Sequence, residues 1–280
     1  MVDVNKLIQG AGAQDFTKEQ SGGNFEKVLP EEGMGVCRFR EYIELGVHDT
    51  KSAKYPNKKP AKKARFVFEL TTPKHVREVE KEDGTKIKIP HILSVECVIS
   101  SSSKSNFIKL FKQLNWHEKY THPAQALGDP FLVTIYHGWK KGDDPKKDKP
   151  SYANMMKDGA YTLAPARKVD PLAGTVEELA VPEMLNDIKI FLYDNPTQET
   201  WDSLFVDGTY EKDGKEVSQN WLQEKILSSL DFKGSELQKL LVDLPKLSTG
   251  DDQIGEPHTA QDDPPFKTDA PVDPLAGLGV

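Results

Sequence analysis

The sequence predicts a mainly β protein with helical additions, an α+β chain. Three observations support this prediction: short stretches in which apolar and polar residues alternate, one amphipathic segment between the third and fourth of them, and a composition with 29% charged and 37% hydrophobic residues. Alternation with a period of two is typical of half-buried strands. The low apolar fraction, with 19 prolines and 20 glycines, indicates a modest core between polar ends.

The first alternating stretch begins at Gly35. Its apolar residues are expected on one buried strand face: Cys37, Phe39, Ile43 and Leu45. Its other residues are expected on a solvated face: Arg38, Arg40, Tyr42 and Glu44. The same period predicts strands at residues 64–70, 93–99 and 131–136, and a last strand at either 152–156 or 160–163.

The amphipathic segment lies between the third and fourth strands. Its apolar residues have the i, i+3, i+4, i+7 spacing of one helix face: Phe107, Leu110, Phe111 and Leu114. Three strands, a helix and two strands is the element order of the five-stranded OB-type barrel. We therefore predict such a barrel, with its helix between strands 3 and 4, although other small barrels could have the same order.

The rest of the chain is predicted to flank this barrel. The expected segments are an N-terminal arm (1–33), the barrel (34–165), a linker (166–182), a helical extension packing on the barrel (183–246) and a disordered acidic tail (247–280). Helices are expected within the extension at 183–193 and 219–230. Residues 250–280 contain seven acids and one lysine, so they hold nearly all of the net charge of −7. The remaining residues can therefore present a basic surface.

Several classes of function have no support in the sequence. Cys37 and Cys97 lie in strand-like stretches and are predicted to be buried thiols, which leaves no four-ligand zinc site. No stretch approaches eighteen apolar residues, no export signal is visible, and no spaced catalytic motif occurs. We expect a cytoplasmic, non-enzymatic protein without cofactor, metal or membrane contact.

The candidate binding residues are basic and aromatic. Between Asp49 and Glu69 the chain contains seven basic residues and no acid. Cations of this kind neutralise phosphates, and flat rings stack on unpaired bases, so the predicted partner is single-stranded DNA. The predicted nucleic-acid-binding residues are Arg38, Arg40, Tyr42, Lys58, Lys59, Lys62, Lys63, Arg65, Tyr136, Trp139, Lys140, Lys141 and Tyr152.

The acidic tail ends in an apolar tip suited to a partner's groove. Its predicted partner-binding residues are Asp273, Leu275, Leu278 and Val280. Residues 273–277 repeat the Asp-Pro-Leu-Ala-Gly sequence of residues 170–174. Two other functions stay open: a protein-interaction module, such as a virion or host-inhibiting factor, and a metal-dependent nuclease, whose carboxylates need no fixed spacing.

A further pattern is formed by residues 42–46 with the lysine-rich loop after them, 63–70, the helix start at Asn106, 127–133 and 221–226. Together these parts of the sequence resemble a group of single-stranded DNA-binding proteins of tailed bacteriophages. The resemblance extends over roughly residues 25–235 and includes no catalytic signature, while residues 194–218 and the long tail depart from it. It implies an OB-type barrel in phage DNA replication or recombination, in the cytoplasm of an infected bacterium. It also implies that the acidic tail recruits replication or recombination proteins.

Overall fold

The computed structural model of the protein describes residues 28–52, 55–80, 84–170, 172–212 and 215–242. Most of the predicted N-terminal arm and the whole acidic tail, with its predicted partner-binding residues Asp273, Leu275, Leu278 and Val280, lie outside these ranges. The described chain forms two compact units. The main unit contains residues 29–206 and 220–242, and the smaller one contains Val28 and residues 207–219 with their gap.

The main unit contains thirteen of the described strands and the described helices. The strands are β1 (Gly33–His48), β2 (Ala61–Leu70), β3 (Val76–Glu80), β4 (Lys86–Pro90), β5 (Ile92–Val98), β6 (Pro130–Gly138), β7 (Tyr152–Asn154), β8 (Met156–Lys157), β9 (Ala160–Tyr161), β10 (Leu163–Pro165), β11 (Arg167–Val169), β12 (Val176–Glu178) and β13 (Lys189–Phe191). The helices are α1 (Asn106–Leu114), α2 (Gln198–Asp202), α3 (Trp221–Leu227) and α4 (Glu236–Val242). The smaller unit contains the hairpin of β14 (Thr209–Lys212) and β15 (Lys215–Ser218).

The main sheet is built around β1. This strand pairs antiparallel with β2 and β6, β5 extends the sheet beyond β2, and β10 extends it beyond β6. The predicted mainly β architecture is therefore confirmed, but the closed barrel is wrong, because among the described residues no ladder joins β5 to β7 or β10. Helix α1 contacts both β5 and β10 and so lies across the opening.

Helix α1 has the position that its apolar spacing predicts. The Ser105 side chain accepts a hydrogen bond from the Ile108 backbone N–H at 3.2 Å, which caps the first turn. Phe107, Leu110 and Leu114 are buried against the sheet. Burial of this face stabilises the helix, which is too short to persist alone.

A β-bulge in β1 reverses the predicted alternation. Phe39 is paired with Phe68 and Glu41 with Val67, so Arg40 is an extra residue on β1. Beyond the bulge, Tyr42 points to the same core as Phe39, and Ile43 points to the opposite face. The prediction that Tyr42 lies on a solvated face is therefore wrong.

Two apolar clusters lie on the opposite faces of β1. The first, between the sheet and α1, contains stacked rings such as Phe39 and Phe68, whose centroids are 5.1 Å apart. It also holds the two free, buried cysteines, Cys37 and Cys97, as predicted. Burial raises the pKa of the Cys97 thiol to about 12. The second cluster lies on the other face and consists of Ile43, Leu45, Phe191, Tyr193, Trp201, Leu204, Ile226 and Leu237.

The late part of the chain packs on the sheet, but with less helix than predicted. Residues 183–193 contain β13, whose Ile190 pairs in parallel with Tyr42, so the predicted helix there is wrong. The predicted helix at 219–230 is present as α3. The predicted linker contains the hairpin of β11 and β12, whose turn is closed by the Asp170 carboxylate accepting from the Leu172 N–H at 2.8 Å.

Stability is expected to fall on acidification because of a histidine pair beside β3. Burial, the nearby Arg77 guanidinium and His75 lower the pKa of His91 to about 4, and burial also lowers the pKa of His75. The unfolded chain binds these protons near pH 6.5, so stability is complete above that pH and is lost as the pH falls toward 4. The midpoint of thermal unfolding should drop over this window, and the drop should be smaller in His91→Gln.

The matched control for this measurement is His117→Gln, at a partly exposed histidine beyond α1. It should reproduce the pH dependence of the unchanged protein. Identical profiles for His91→Gln and the unchanged protein would show that His91 does not contribute.

Candidate nucleic-acid interface

The predicted binding face of β1 and β2 is covered by protein. Tyr42 has no exposed surface and its ring packs edge-on against Phe66, with centroids 5.2 Å apart. A ring in this position has no face for a nucleobase. Tyr42 is therefore a core residue and does not form part of a binding site.

The arginines of β1 are occupied by contacts within the protein. The Arg38 guanidinium donates to three backbone carbonyl oxygens at 2.9–3.0 Å, those of Pro182, Gly128 and Val181. It also forms an ion pair with Glu183 at 2.8 Å. Arg40 pairs with Glu41 and, at 3.4 Å, with Glu69. The predicted phosphate-binding role of Arg38 and Arg40 is therefore not supported, because Arg38 uses four of its five N–H donors and the Arg40 side chain is only 14% exposed and lies between two carboxylates.

The basic residues of β2 are also engaged. Arg65 is only 5% exposed, and its guanidinium carbon lies 5.0 Å from the centroid of the Trp221 ring. Burial lowers the pKa of Lys63, and Lys62 pairs at the surface with Asp194 at 2.7 Å. Arg65 is thus excluded as a surface contact, Lys62 is held in an ion pair, and Lys63 is partly buried.

Aromatic and cationic side chains that are accessible to a ligand lie close together where β6 pairs with β7. Tyr136 lies on the outward face of β6, partly exposed, and the Lys157 ammonium is 5.2 Å from its ring centroid. The Tyr152 ring lies so close to Gly138 that a Cβ atom on this residue would overlap it. Because Gly138 has no side chain, the Tyr152 ring can lie on the same face of the β6–β7 ladder as Tyr136.

The loop after β6 adds a third ring and two free lysines. Trp139 is partly exposed and donates from Nε1 to the Asp148 carbonyl oxygen at 3.0 Å, which fixes its orientation. The Asp143 carboxylate accepts from the Lys140 backbone N–H at 2.9 Å, so this acid is used in the turn. Lys140 and Lys141 are exposed and form no ion pair with any other described residue.

We call this group of side chains the β6–β7 site. It consists of Tyr136, Trp139, Lys140, Lys141, Tyr152 and Lys157. Five of these six were predicted from the sequence. Lys157 was missed, since an isolated lysine after a short strand has no signal of its own.

A second exposed group lies in the loop between β1 and β2. Lys58 and Lys59 are exposed as predicted, and the Thr50 hydroxyl donates to the Lys59 carbonyl oxygen at 2.7 Å, which ties the two sides of the loop together. Tyr55 is 46% exposed in the same loop. Tyr55 is not among the predicted binding residues, although a tyrosine within a lysine-rich turn is a signal in the sequence.

Comparisons of the chain with models of protein families, with curated protein sequences and with solved structures find no match. Over the described ranges, no group of three or more His, Cys, Asp or Glu side chains is placed to hold a metal ion. None of the helices in the same ranges has the length and apolarity needed to cross a bilayer.

Proposed function

We propose that this chain is a non-enzymatic protein that binds single-stranded DNA without sequence preference. In this proposal the β6–β7 site and the β1–β2 loop make the contacts, and the faces of β1 and β2 do not. The observation that supports it is the partly or fully exposed group of Tyr136, Tyr152 and Lys157 at the β6–β7 ladder, with Trp139, Lys140 and Lys141 in the loop that follows β6 directly.

The chemistry of this surface suits an unpaired strand. Ammonium groups neutralise phosphates and release counterions whatever the base sequence. A base stacked on a tyrosine or tryptophan ring adds about 1–3 kcal/mol, and every base has a face that can stack. Paired bases in a duplex do not expose these faces, so the rings favour single strands over duplex DNA.

The order of the elements also supports the proposal. Strands β1, β2 and β5, then α1, then β6 and β10 follow the order of an OB-type domain, a partly open barrel that binds oligonucleotides. Together with the resemblance to phage proteins, this favours a role in phage DNA replication or recombination inside the infected bacterium. The acidic tail would then recruit partner proteins through Asp273, Leu275, Leu278 and Val280.

The proposal predicts that two lysines contribute to affinity in a salt-dependent manner. In Lys140→Ala/Lys141→Ala, the slope of log affinity against log salt for a labelled oligonucleotide should decrease by about 1.4, or about 0.7 for each lost phosphate contact. Fluorescence anisotropy at several salt concentrations, on single-stranded and double-stranded DNA of one length, measures this slope.

The matched control is Lys86→Ala/Lys88→Ala, because these two lysines are equally exposed but lie on the β3–β4 hairpin. It should bind like the unchanged protein. The proposal fails if the unchanged protein does not prefer single strands, or if its affinity is indifferent to salt.

A further inference from the structure

Cationic side chains continue from the β6–β7 site onto helix α1. Lys157 ends β8 and pairs through the backbone with Ala160, which places the β8–β9 turn beside the site. The Lys109 ammonium donates to the Gly159 carbonyl oxygen of this turn at 3.3 Å. Helix α1 therefore borders the turn that presents Lys157 to Tyr136.

The exposed side of α1 extends this path. Lys109 and Lys112 are exposed and stand one turn apart. Trp116 follows at the i+7 position, just after the helix, where the Asn115 N–H still donates to the Phe111 carbonyl oxygen at 2.8 Å. Lys109 and Lys112 thus project from one side of the helix, and Trp116 follows in the turn just beyond its end.

The path ends at a pair formed by Trp116 and Arg167. The guanidinium carbon of Arg167 lies 4.4 Å from the centroid of the Trp116 ring, and Trp116 is 38% exposed. The Arg167 backbone pairs in the β11–β12 ladder, but its guanidinium makes no hydrogen bond or ion pair with any other described residue, so its five side-chain N–H donors are unused. Such a pair can bind a nucleotide: the free N–H donors of the arginine can bind a phosphate, and the exposed ring can stack with the adjacent base.

The surroundings hold this pair in place. The His117 ring centroid is 5.1 Å from that of Trp116 and 4.4 Å from that of Tyr120. The Tyr120 hydroxyl donates to the Asp129 carboxylate at 2.8 Å, immediately before β6. The aromatic platform is therefore connected to the sheet and loses little freedom when a ligand binds.

We propose that Trp116 and Arg167 form a second nucleotide-binding subsite, in which an unpaired base stacks on Trp116 and Arg167 binds the neighbouring phosphate. The subsite lies at the far end of the path over Lys109 and Lys112, and it rests on the proposed function. A strand must be long enough to reach from the β6–β7 site across α1 before it gains these contacts.

Oligonucleotide length provides the test. The full-length protein, Trp116→Ala, Trp116→Phe and Arg167→Ala are titrated with labelled oligothymidylates of about 5 and about 15 nucleotides, which span the range of sites on one OB-type domain. Trp116→Ala should weaken binding of the longer strand about tenfold, within the range that loss of one stacked base gives. Trp116→Phe should retain most of the affinity, and the short strand should bind all variants equally.

The salt dependence separates the two roles. Arg167→Ala should reduce the salt slope on the longer strand by about 0.7, whereas Trp116→Ala should leave the slope unchanged. Phe205→Ala removes another exposed ring, 55% accessible and outside the path, and serves as the matched control. If Trp116→Ala is unfolded in a thermal melt, Lys112→Ala replaces it and should lower the slope on the long strand only.

The outcomes distinguish the two proposals. If the unchanged protein binds neither oligothymidylate, the proposed function fails and the subsite with it. If Lys140→Ala/Lys141→Ala weakens binding but the Trp116, Arg167 and Lys112 variants bind the long strand normally, the subsite alone is overturned. Equal losses on short and long strands would also overturn it, because they would place the pair within the first site.

Discussion

Replacing Tyr42 by alanine is expected to lower the free energy of unfolding by about 3–5 kcal/mol, the usual cost of removing a buried aromatic side chain. The ring is fully buried between Phe66 and His122, with centroid distances of 5.2 and 5.1 Å. Tyr42→Phe keeps the ring and loses only the hydrogen bond from its hydroxyl to Glu44, at 3.2 Å. That change should cost about 1 kcal/mol. Denaturant unfolding measures both variants.

The matched control is Tyr136→Ala, at the tyrosine of β6 that is partly exposed. It should leave stability nearly unchanged and weaken binding of single-stranded DNA, whereas folded Tyr42→Phe should bind normally. If Tyr42→Ala instead had normal stability and reduced affinity for DNA, Tyr42 would be a surface residue and the core assignment would be wrong.

The sequence predicted the elements whose apolar period is unbroken. Strands β2, β5 and β6 and helix α1 are found close to their expected bounds because each has one regular set of apolar side chains in the first cluster. In β1 the predicted buried and solvated faces are wrong beyond Arg40. A bulge adds one residue without a residue type that marks it, and every side chain after it changes face.

The covering of the second sheet face was not visible in the sequence either. Phe191, Trp201, Ile226 and Leu237 come from four short elements, and their spacing does not indicate which surface they bury. The polar residues of β2 suggested a solvated face. Arg65 and Glu69 are instead buried, Arg65 against the Trp221 ring and Glu69 as the partner of Arg40, which a rule equating charge with exposure cannot anticipate.

The loops were predicted more successfully than the strand faces. Lys58 and Lys59 lie in a stretch with proline and asparagine, and Lys140 and Lys141 in one with glycine, aspartate and proline; such stretches run over protein surfaces. Exposure there follows from local composition and does not depend on how distant segments pack. The part of the predicted binding set that is accessible is therefore the part that lies in or beside turns.

Replacing Glu69 by alanine is expected to cost about 3–5 kcal/mol of stability, the range for breaking a buried ion pair from one side. Glu69 is fully buried and accepts from the Leu185 N–H at 2.6 Å, the Asn186 amide at 2.8 Å and Arg40 at 3.4 Å. Its loss leaves the Leu185 N–H without a partner and Arg40 with Glu41 alone, so the segment before β13 should detach first. Denaturant unfolding gives the total cost, and hydrogen exchange at Leu185 reports the detachment.

Glu183→Ala is the matched control for Glu69→Ala. Its side chain also pairs with an arginine of β1, but it is 84% exposed, so its removal should cost about 0–1 kcal/mol. The double variant Arg40→Leu/Glu69→Leu should be more stable than Glu69→Ala, because it removes both charges together. Similar costs for Glu69→Ala and Glu183→Ala would mean that the covering segment is not held by buried charges. The face of β1 and β2 would then become available to a ligand when the segment moves aside.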